Sequence, residues 1–418
     1  MAKPHKKNNY RKQQRQQQKR AQAVQVNAEL INAEGRVTLQ LHALDTWFFR
    51  ESRPHDAVGA SELASLFPPP VRTLAGALRT FIGERIGINW QNLSHQLSGL
   101  DFTASLGGSE GLGQLQLQGP WIVYKNQRLY PAPLYLMQGS LDGKPDLQRL
   151  QAGQTVRCDL GHVRLPELPA GRKGYKALEQ RWLTPSGLAQ CLNGKTPESQ
   201  HIIAPEQLFS HEPRLGIARN NASRSVIDGK LYQTRHLRVQ DQVHIELDVQ
   251  GLPQELLPFL DTRQPALMRL GGEGRMASIS MSPTIDTLPF ARVKTVNSVL
   301  LHFITPADFG GNWYPEDFVQ TDINGQTVWR GQINGIEINI EAAVIGKVHR
   351  EGGWDMKNHQ PRPVKSYIPA GSAWFCRLGQ DYDWQTLTDK LHGHCIGYDT
   401  AFGRGQILLG HWRDSINA

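Results

Sequence analysis

The sequence predicts an α+β protein in two halves, each running β-α-β-β-α-β. Three observations carry this reading. Apolar residues alternate with polar ones in short runs in both halves, at 37–41 and 243–249 and again around 336–340. Each half holds a stretch that reads as a helix, 71–82 in the first and 383–392 in the second. Glycine-rich turns lead into strands at 270–275 and 397–405. The repetition is structural and has no counterpart as a sequence period. It is the order of the split ferredoxin-like unit, which RNA-recognition modules also use.

Residues 1–36 are rich in Gln, Lys, Arg and Asn and read as a disordered basic arm, because they cannot bury enough apolar surface to offset their ordering entropy. Eight basic and no acidic side chains lie in residues 1–20, and the whole chain is +8, so residues 21–418 sum to 8 − 8 = 0. The arm is either a solubilising tail or a salt-sensitive grip on nucleic-acid phosphates. The body is neutral, and a nucleic-acid site on it has to be a local patch.

The first strand is 37–41. A loop follows in which Trp47, Phe48 and Phe49 precede Arg50 and Arg53. Aromatics beside arginines suit base stacking and phosphate contact; the same residues also fit a core plug, with Arg50 paired to Asp45 or Glu51. Ser65 to Pro70 halts the chain, and Pro70 takes a first helical position. Val71, Leu74, Ala75, Leu78, Phe81 and Ile82 form one apolar helix face, with Arg72, Gly76 and Arg79 on another. Gly83 and Gly87 end the helix. Residues 106–113 read as a flexible glycine loop, and 119–124 and 128–133 as strands around a turn at 125–127.

Residues 138–210 show few periodic signals and read as an insertion. Between Arg172 and Arg238 there are 11 Lys or Arg against 5 Asp or Glu, a local +6. A basic β-hairpin over 212–238 fits best, with its tip between Asn220 and Asp228. Leu252 to Leu260 is a short helix. The turn Leu270-Gly271-Gly272-Glu273-Gly274-Arg275 joins two strands, and its open backbone can form an anion nest with Arg275 at the exit. A second domain starts near Thr284, with strands at 299–304 and 336–342 and a loop at 352–365. The domains expected are thus the arm, 37–283 and 284–418.

No run of 18 apolar residues occurs, so no membrane span is expected and a cytoplasmic location follows as the default. Cys158, Cys191, Cys376 and Cys395 are far apart, against a disulfide framework. His392-Gly393-His394-Cys395 is a conceivable metal cluster but shows ligands at one end only. No cofactor or small-molecule substrate is expected.

Six motifs together resemble one family. An Asp, aromatic, Phe-Arg and Arg-Pro pattern matches Asp45, Phe48, Phe49, Arg50, Arg53 and Pro54. A Ser-Leu-Phe-Pro-Pro-Pro turn and an Ala-Gly-Ala-Leu-Arg helix match 65–70 and 75–79. The hairpin motifs match Arg214 to Ile217 and Gly229 to Tyr232; Leu-Gly-Gly-Glu-Gly-Arg matches 270–275 unchanged; Pro-Ala-Gly-Ser and the closing glycine loop match 369–372 and 397–405. In this order they resemble the third-subunit family of repeat-associated (RAMP) proteins in type III-B CRISPR–Cas (Cmr) effector complexes, over about residues 37–418.

The resemblance implies a non-catalytic subunit with two ferredoxin-like domains. Such a subunit caps the 5′ handle of the crRNA and docks the large Cas-ten-type subunit beside other Cmr RAMP subunits. The RNA-binding residues expected are Arg50, Arg53, Arg214, Lys230, Tyr232, Arg235, Gly271, Gly272, Glu273, Gly274, Arg275 and Arg404. The alternative it raises is a metal-independent RAMP endoribonuclease acting on CRISPR precursor RNA, with His211 or His236 as acid–base catalyst.

Overall fold

A computed structural model describes residues 30–32, 35–51, 62–95, 97, 99–220, 222–260, 266–283, 287–292 and 295–412. Most of the expected basic arm, Arg53 and the expected boundary at Thr284 lie outside the described residues.

Four strands at the centre of the first half stand each antiparallel to the next, in the order Gln116–Tyr124, Val243–Gln250, Arg36–Ala43, Met276–Ser282. Numbered along the chain, that is 2-3-1-4. The second half repeats the order with Ile336–Val344, Ala373–Asp383, Thr295–Phe303 and Ile407–His411.

The expected helices are only partly there. The first half has the helix Val71–Ile86, and the short helix expected over 252–260 is present as the 3-10 turn Gln254–Phe259. Pro253 caps that turn and Pro258 lies inside it, and a proline lacks the N–H that a helix needs. The second half has the late helix Trp384–Leu391, started by Asp383, whose carboxylate accepts the N–H of Thr386 at 2.9 Å. In place of an early helix it has the strands Val319–Ile323 and Gln326–Ile333. Asn-Gly pairs at 324–325 and 334–335 turn them, with φ of 54° and 81° and of 49° and 77°. Asn-Gly is the preferred pair for such two-residue turns.

In the first helix Pro70 is the N-cap, one position earlier than expected, with an extended ψ of 135°. Gly83 does not end the helix. It is buried inside it, where a Cβ would come within 2.5 Å of the Trp90 ring, and Gly87 caps the end at φ 69°. The loop 106–113 is clamped by Arg79, which donates to the carbonyls of Leu106 at 3.0 Å and Gly111 at 3.1 Å.

Strand alternation puts Val37, Leu39 and Leu41 into a core under the Val71–Ile86 helix. The opposite face buries a polar network. Arg128 donates to both Asp248 oxygens at 2.8 and 2.6 Å and to Glu246 at 2.6 Å, while Thr38 and Trp121 donate to Asp248 at 2.6 and 3.1 Å. Burial works to raise Glu246, but His244 and Arg128 bring its carboxyl down to about 2.

The insertion at 138–210 is largely strand, with hairpins over 136–149 and 151–167 and a helix Pro185–Leu192. The first hairpin forms a small sheet with Lys176–Ala177 and the second is a two-stranded pair, both outside the two main sheets. The hairpin 151–167 lies on the sheet of the second half. There Arg164 donates to Glu341 at 2.7 Å, and the N–H of His162 donates to Thr327 at 3.2 Å. Trp121, Tyr130, Tyr135, Leu183 and Leu188 share one apolar core with the second half, and Phe402 of the second half enters the core of the first.

Candidate nucleic-acid interface

Phe209–Arg219 and Val226–Val239 form the long hairpin expected over 212–238. Its register sets Glu212 opposite His236, Arg214 opposite Thr234 and Gly216 opposite Tyr232. Side chains of a strand alternate between faces, so Glu212, Arg214, Tyr232, His236 and Arg238 share one face. Arg235, opposite Pro213, falls on the other face together with the exposed Leu215 and Ile217.

Asp45 gathers the site. Its carboxylate accepts from Arg214 at 3.2 Å, Arg238 at 3.1 Å and Arg275 at 2.9 Å. Glu212 holds the first two from the far side, at 2.6 Å to Arg214 and 2.7 Å to Arg238. Three guanidiniums from the hairpin and the glycine turn thus surround two carboxylates on an exposed surface, a net +1. Burial works to raise Asp45, but the Thr46 N–H, Arg214 and Arg238 hold it below its ordinary value; Arg214 and Arg238 do the same for Glu212. Each guanidinium is a planar fork fixed in direction, with donors beyond those its carboxylates occupy.

Beneath the cluster, Thr46 and His236 Nδ1 are 3.1 Å apart, and the His236 ring stacks on Phe48 at 5.0 Å. His236 is buried, and burial followed by Arg214 and Arg275 lowers its pKa. Its ring faces the protein, a poor position for an acid–base catalyst. Tyr232 is 38% exposed and lies over Gly216, where a Cβ would fall 2.3 Å from the phenol ring.

The glycine turn is closed by its own chain. The Gly272 N–H donates to the Phe48 carbonyl at 2.8 Å, and Arg275 N–H to the Gly272 carbonyl at 3.2 Å. Gly271 has φ +94°, and a Cβ there would sit 2.8 Å from the Phe48 oxygen. The close approach that its glycines permit is therefore to Phe48. Glu273 is exposed at φ 57°, and Asp45, not Glu273, orients Arg275. Gly274 has open space beside it.

Trp47, Phe48 and Phe49 are buried and form the core plug; the Trp47 indole donates to the Met276 carbonyl at 3.3 Å. Arg50 is exposed and bridges Ser65 through its backbone. Lys230 belongs to the hairpin strand, but its side chain is outside the described residues, and Arg53 is entirely outside them. Arg404 is not part of this surface. It is 5% exposed, ion-paired to Glu351 and stacked over Tyr367 at 4.7 Å. Asp45 and Glu212 were not among the expected site residues, nor was Arg238. A carboxylate placed among arginines was the available signal.

His392, His394 and Cys395 do not converge. His392 Nδ1 accepts from Leu409 N–H at 3.2 Å, and burial brings its pKa down to about 4; His394 meets the Asp389 carbonyl at 3.0 Å. Among the described residues no three His, Cys, Asp or Glu side chains gather as metal ligands. No helix of the described residues is long and apolar enough to cross a membrane.

A family model described as CRISPR-associated protein (Cas_Cmr3) matches residues 39–412. No curated protein matches the chain. Among solved structures, a chain from the cryo-EM structure of the Type III-B Cmr-beta bound to cognate target RNA is similar at 15% identity, over 81% of this chain and 86% of its own, with a TM-score of 0.42. A chain from the crystal structure of the Csm3-Csm4 subcomplex in the type III-A CRISPR-Cas interference complex is similar at 11% identity, over 83% and 98%, with a TM-score of 0.34.

Proposed function

The chain belongs to the Cmr3 family of CRISPR-associated proteins, and from that premise we propose that it is a non-catalytic subunit of a type III-B Cmr effector complex. In this reading it caps the 5′ handle of the crRNA and docks the large Cas-ten-type subunit beside other RAMP subunits, in the cytoplasm. Each half is a ferredoxin-like domain, the first with its second helix reduced to a 3-10 turn and the second without its early helix; the repeated 2-3-1-4 strand order supports this. The inserted region belongs to the first domain by sequence and to the second by packing.

The observation that carries the RNA site is the meeting of Arg214, Arg238 and Arg275 on Asp45. Splayed single-stranded RNA needs phosphate donors and a stacking face in one place. The three guanidiniums supply the donors and Tyr232 the stacking face, with Arg50 at the margin. The buried, neutral-leaning His236 supports the non-catalytic reading over the endoribonuclease.

The test is crRNA retention in reconstituted complexes. Arg214→Ala with Arg275→Ala should release crRNA irrespective of sequence, because phosphate contacts carry no base information. Tyr232→Ala should cost roughly 1–3 kcal/mol if one base stacks there. Full retention by both variants overturns the site. Incubation with repeat RNA in EDTA should yield no 2′,3′-cyclic product; such a product, lost on His236→Ala, would establish the enzyme instead.

A further inference from the structure

Both halves leave their sheet at the same point in the strand order. In the first, the connection from the second strand to the third contains the long hairpin, residues 209–239. In the second, the same connection runs out into a smaller hairpin, where His349–Glu351 pairs with Lys365–Tyr367 and Trp354–Asp355 with Gln360–Pro361.

The charges of this second hairpin are sorted by side. Its two acids point inward and are buried. Glu351 takes Arg404 and, at 2.9 Å, His349. Asp355 accepts the backbone N–H groups of Lys357 and Asn358 at 2.9 and 3.1 Å. The bases Arg350 and Lys357 are exposed, and neither has an ion-pair partner among the described residues. Between them in the chain stands Trp354, 53% exposed. The frame is held from both ends. Arg404 fixes the base, and Arg362 ties the far strand to Gly353 O at 2.9 Å through its N–H and to Ser109 O at 2.6 Å through its guanidinium.

We propose that this hairpin is a second RNA-binding finger, which stacks a base of single-stranded RNA on Trp354 and sets Arg350 and Lys357 against the flanking phosphates. An indole face accepts any base, because every base has a π-face. Turning both of its own acids inward leaves none of them beside Arg350 and Lys357; the acids of other segments, Glu110 on Arg362 and Asp399 on Lys365, lie on the returning strand side. A frame fixed in advance lowers the ordering cost of binding. The finger and the Asp45 cluster are built from different residues, so variants of each test them separately.

The experiment uses the full chain and a labelled mixed-sequence single-stranded RNA. Affinity is read across a salt series, and contacts are read by photocrosslinking with 4-thiouridine RNA. Arg350→Glu with Lys357→Glu should lower affinity at least about tenfold. It should also flatten the salt slope by about 1.4, since each lost single-strand phosphate contact removes about 0.7. Trp354→Ala should lower affinity about tenfold and abolish crosslinks to peptides from 349–367. An unchanged melting temperature shows that the fold is intact. The Arg214→Ala, Arg275→Ala variant, run in parallel, should keep the 349–367 crosslinks even where crRNA retention is lost. Wild-type affinity and salt slope in both hairpin variants, or no crosslink to 349–367 in the wild type, overturns the finger. Loss of binding to an acidic protein partner with RNA binding intact overturns it as well.

Discussion

The carbonyl oxygen of Phe48 accepts the backbone N–H of Gly272 at 2.8 Å. This one bond joins the aromatic loop after the first strand to the glycine turn before the fourth. With Asp45 gripping Arg275 three residues beyond, it makes loop and turn a single rigid edge. The arginines above it are aimed by that edge.

Gly271→Ala should destabilise the fold by at least about 1–2 kcal/mol, the cost of a left-handed conformation for a residue with a Cβ, with the 2.8 Å approach to the Phe48 oxygen added to it. Gly272→Val should cost less, because its φ is ordinary and its nearest neighbour is a Phe48 ring carbon at 3.1 Å. Urea unfolding of the two variants orders them; the reverse order would place the strain elsewhere in the turn.

The Asp45 cluster should loosen in acid. The folded pKa values of Asp45 and Glu212 are lowered, so their contribution is present above the unfolded values, about 4, and is lost as pH falls through the folded ones. The melting temperature of the wild type should exceed that of an Asp45→Asn, Glu212→Gln variant at neutral pH. The gap should close below about pH 4. A gap that persists in acid would mean that the carboxylates contribute through packing rather than charge.

Arg128→Ala should be among the most damaging single changes, at about 3–5 kcal/mol. It leaves Asp248 and Glu246 buried without their common cation. Chemical denaturation reads this directly. Arg128→Ala with Asp248→Asn should recover part of the loss, because one of the stranded charges is then gone.

Arg404→Ala should leave the sheets folded and free the second hairpin. The change strands Glu351 and removes the cation over Tyr367. Limited proteolysis should then cut within 352–364 at rates at which the wild type survives. Unaltered cleavage would show that Arg362 alone holds the hairpin.

The sheet centres were legible because apolar and polar residues alternate over 37–41, 243–249 and 336–342, although the polar face of 243–249 is buried as well. That the hairpin of Arg214 and the glycine turn of Arg275 come together was legible because residue type and motif pointed to both. Arg235 falls on the face away from Arg214 because a hairpin is a ribbon with two faces, which a count of its bases does not register. Arg404 looked like a loop arginine until Glu351, far away in sequence, took it inside. The gathering of three guanidiniums on Asp45 was not legible, because a lone acid before three aromatics shows nothing of what topology brings to it. The missing early helix of the second half was signalled by two Asn-Gly pairs.

The exchange of core residues between the halves sets a schedule for synthesis. Tyr130, Tyr135, Leu183 and Leu188 are built early, but the strands that cover them run to His411. At about 5–20 residues per second, the roughly 220 residues from Leu192 to Trp412 take about 10–45 s to emerge. For that interval the nascent chain carries a half-finished core with no cover of its own. A ribosome-associated chaperone should bind over this window and leave when the last strand arrives.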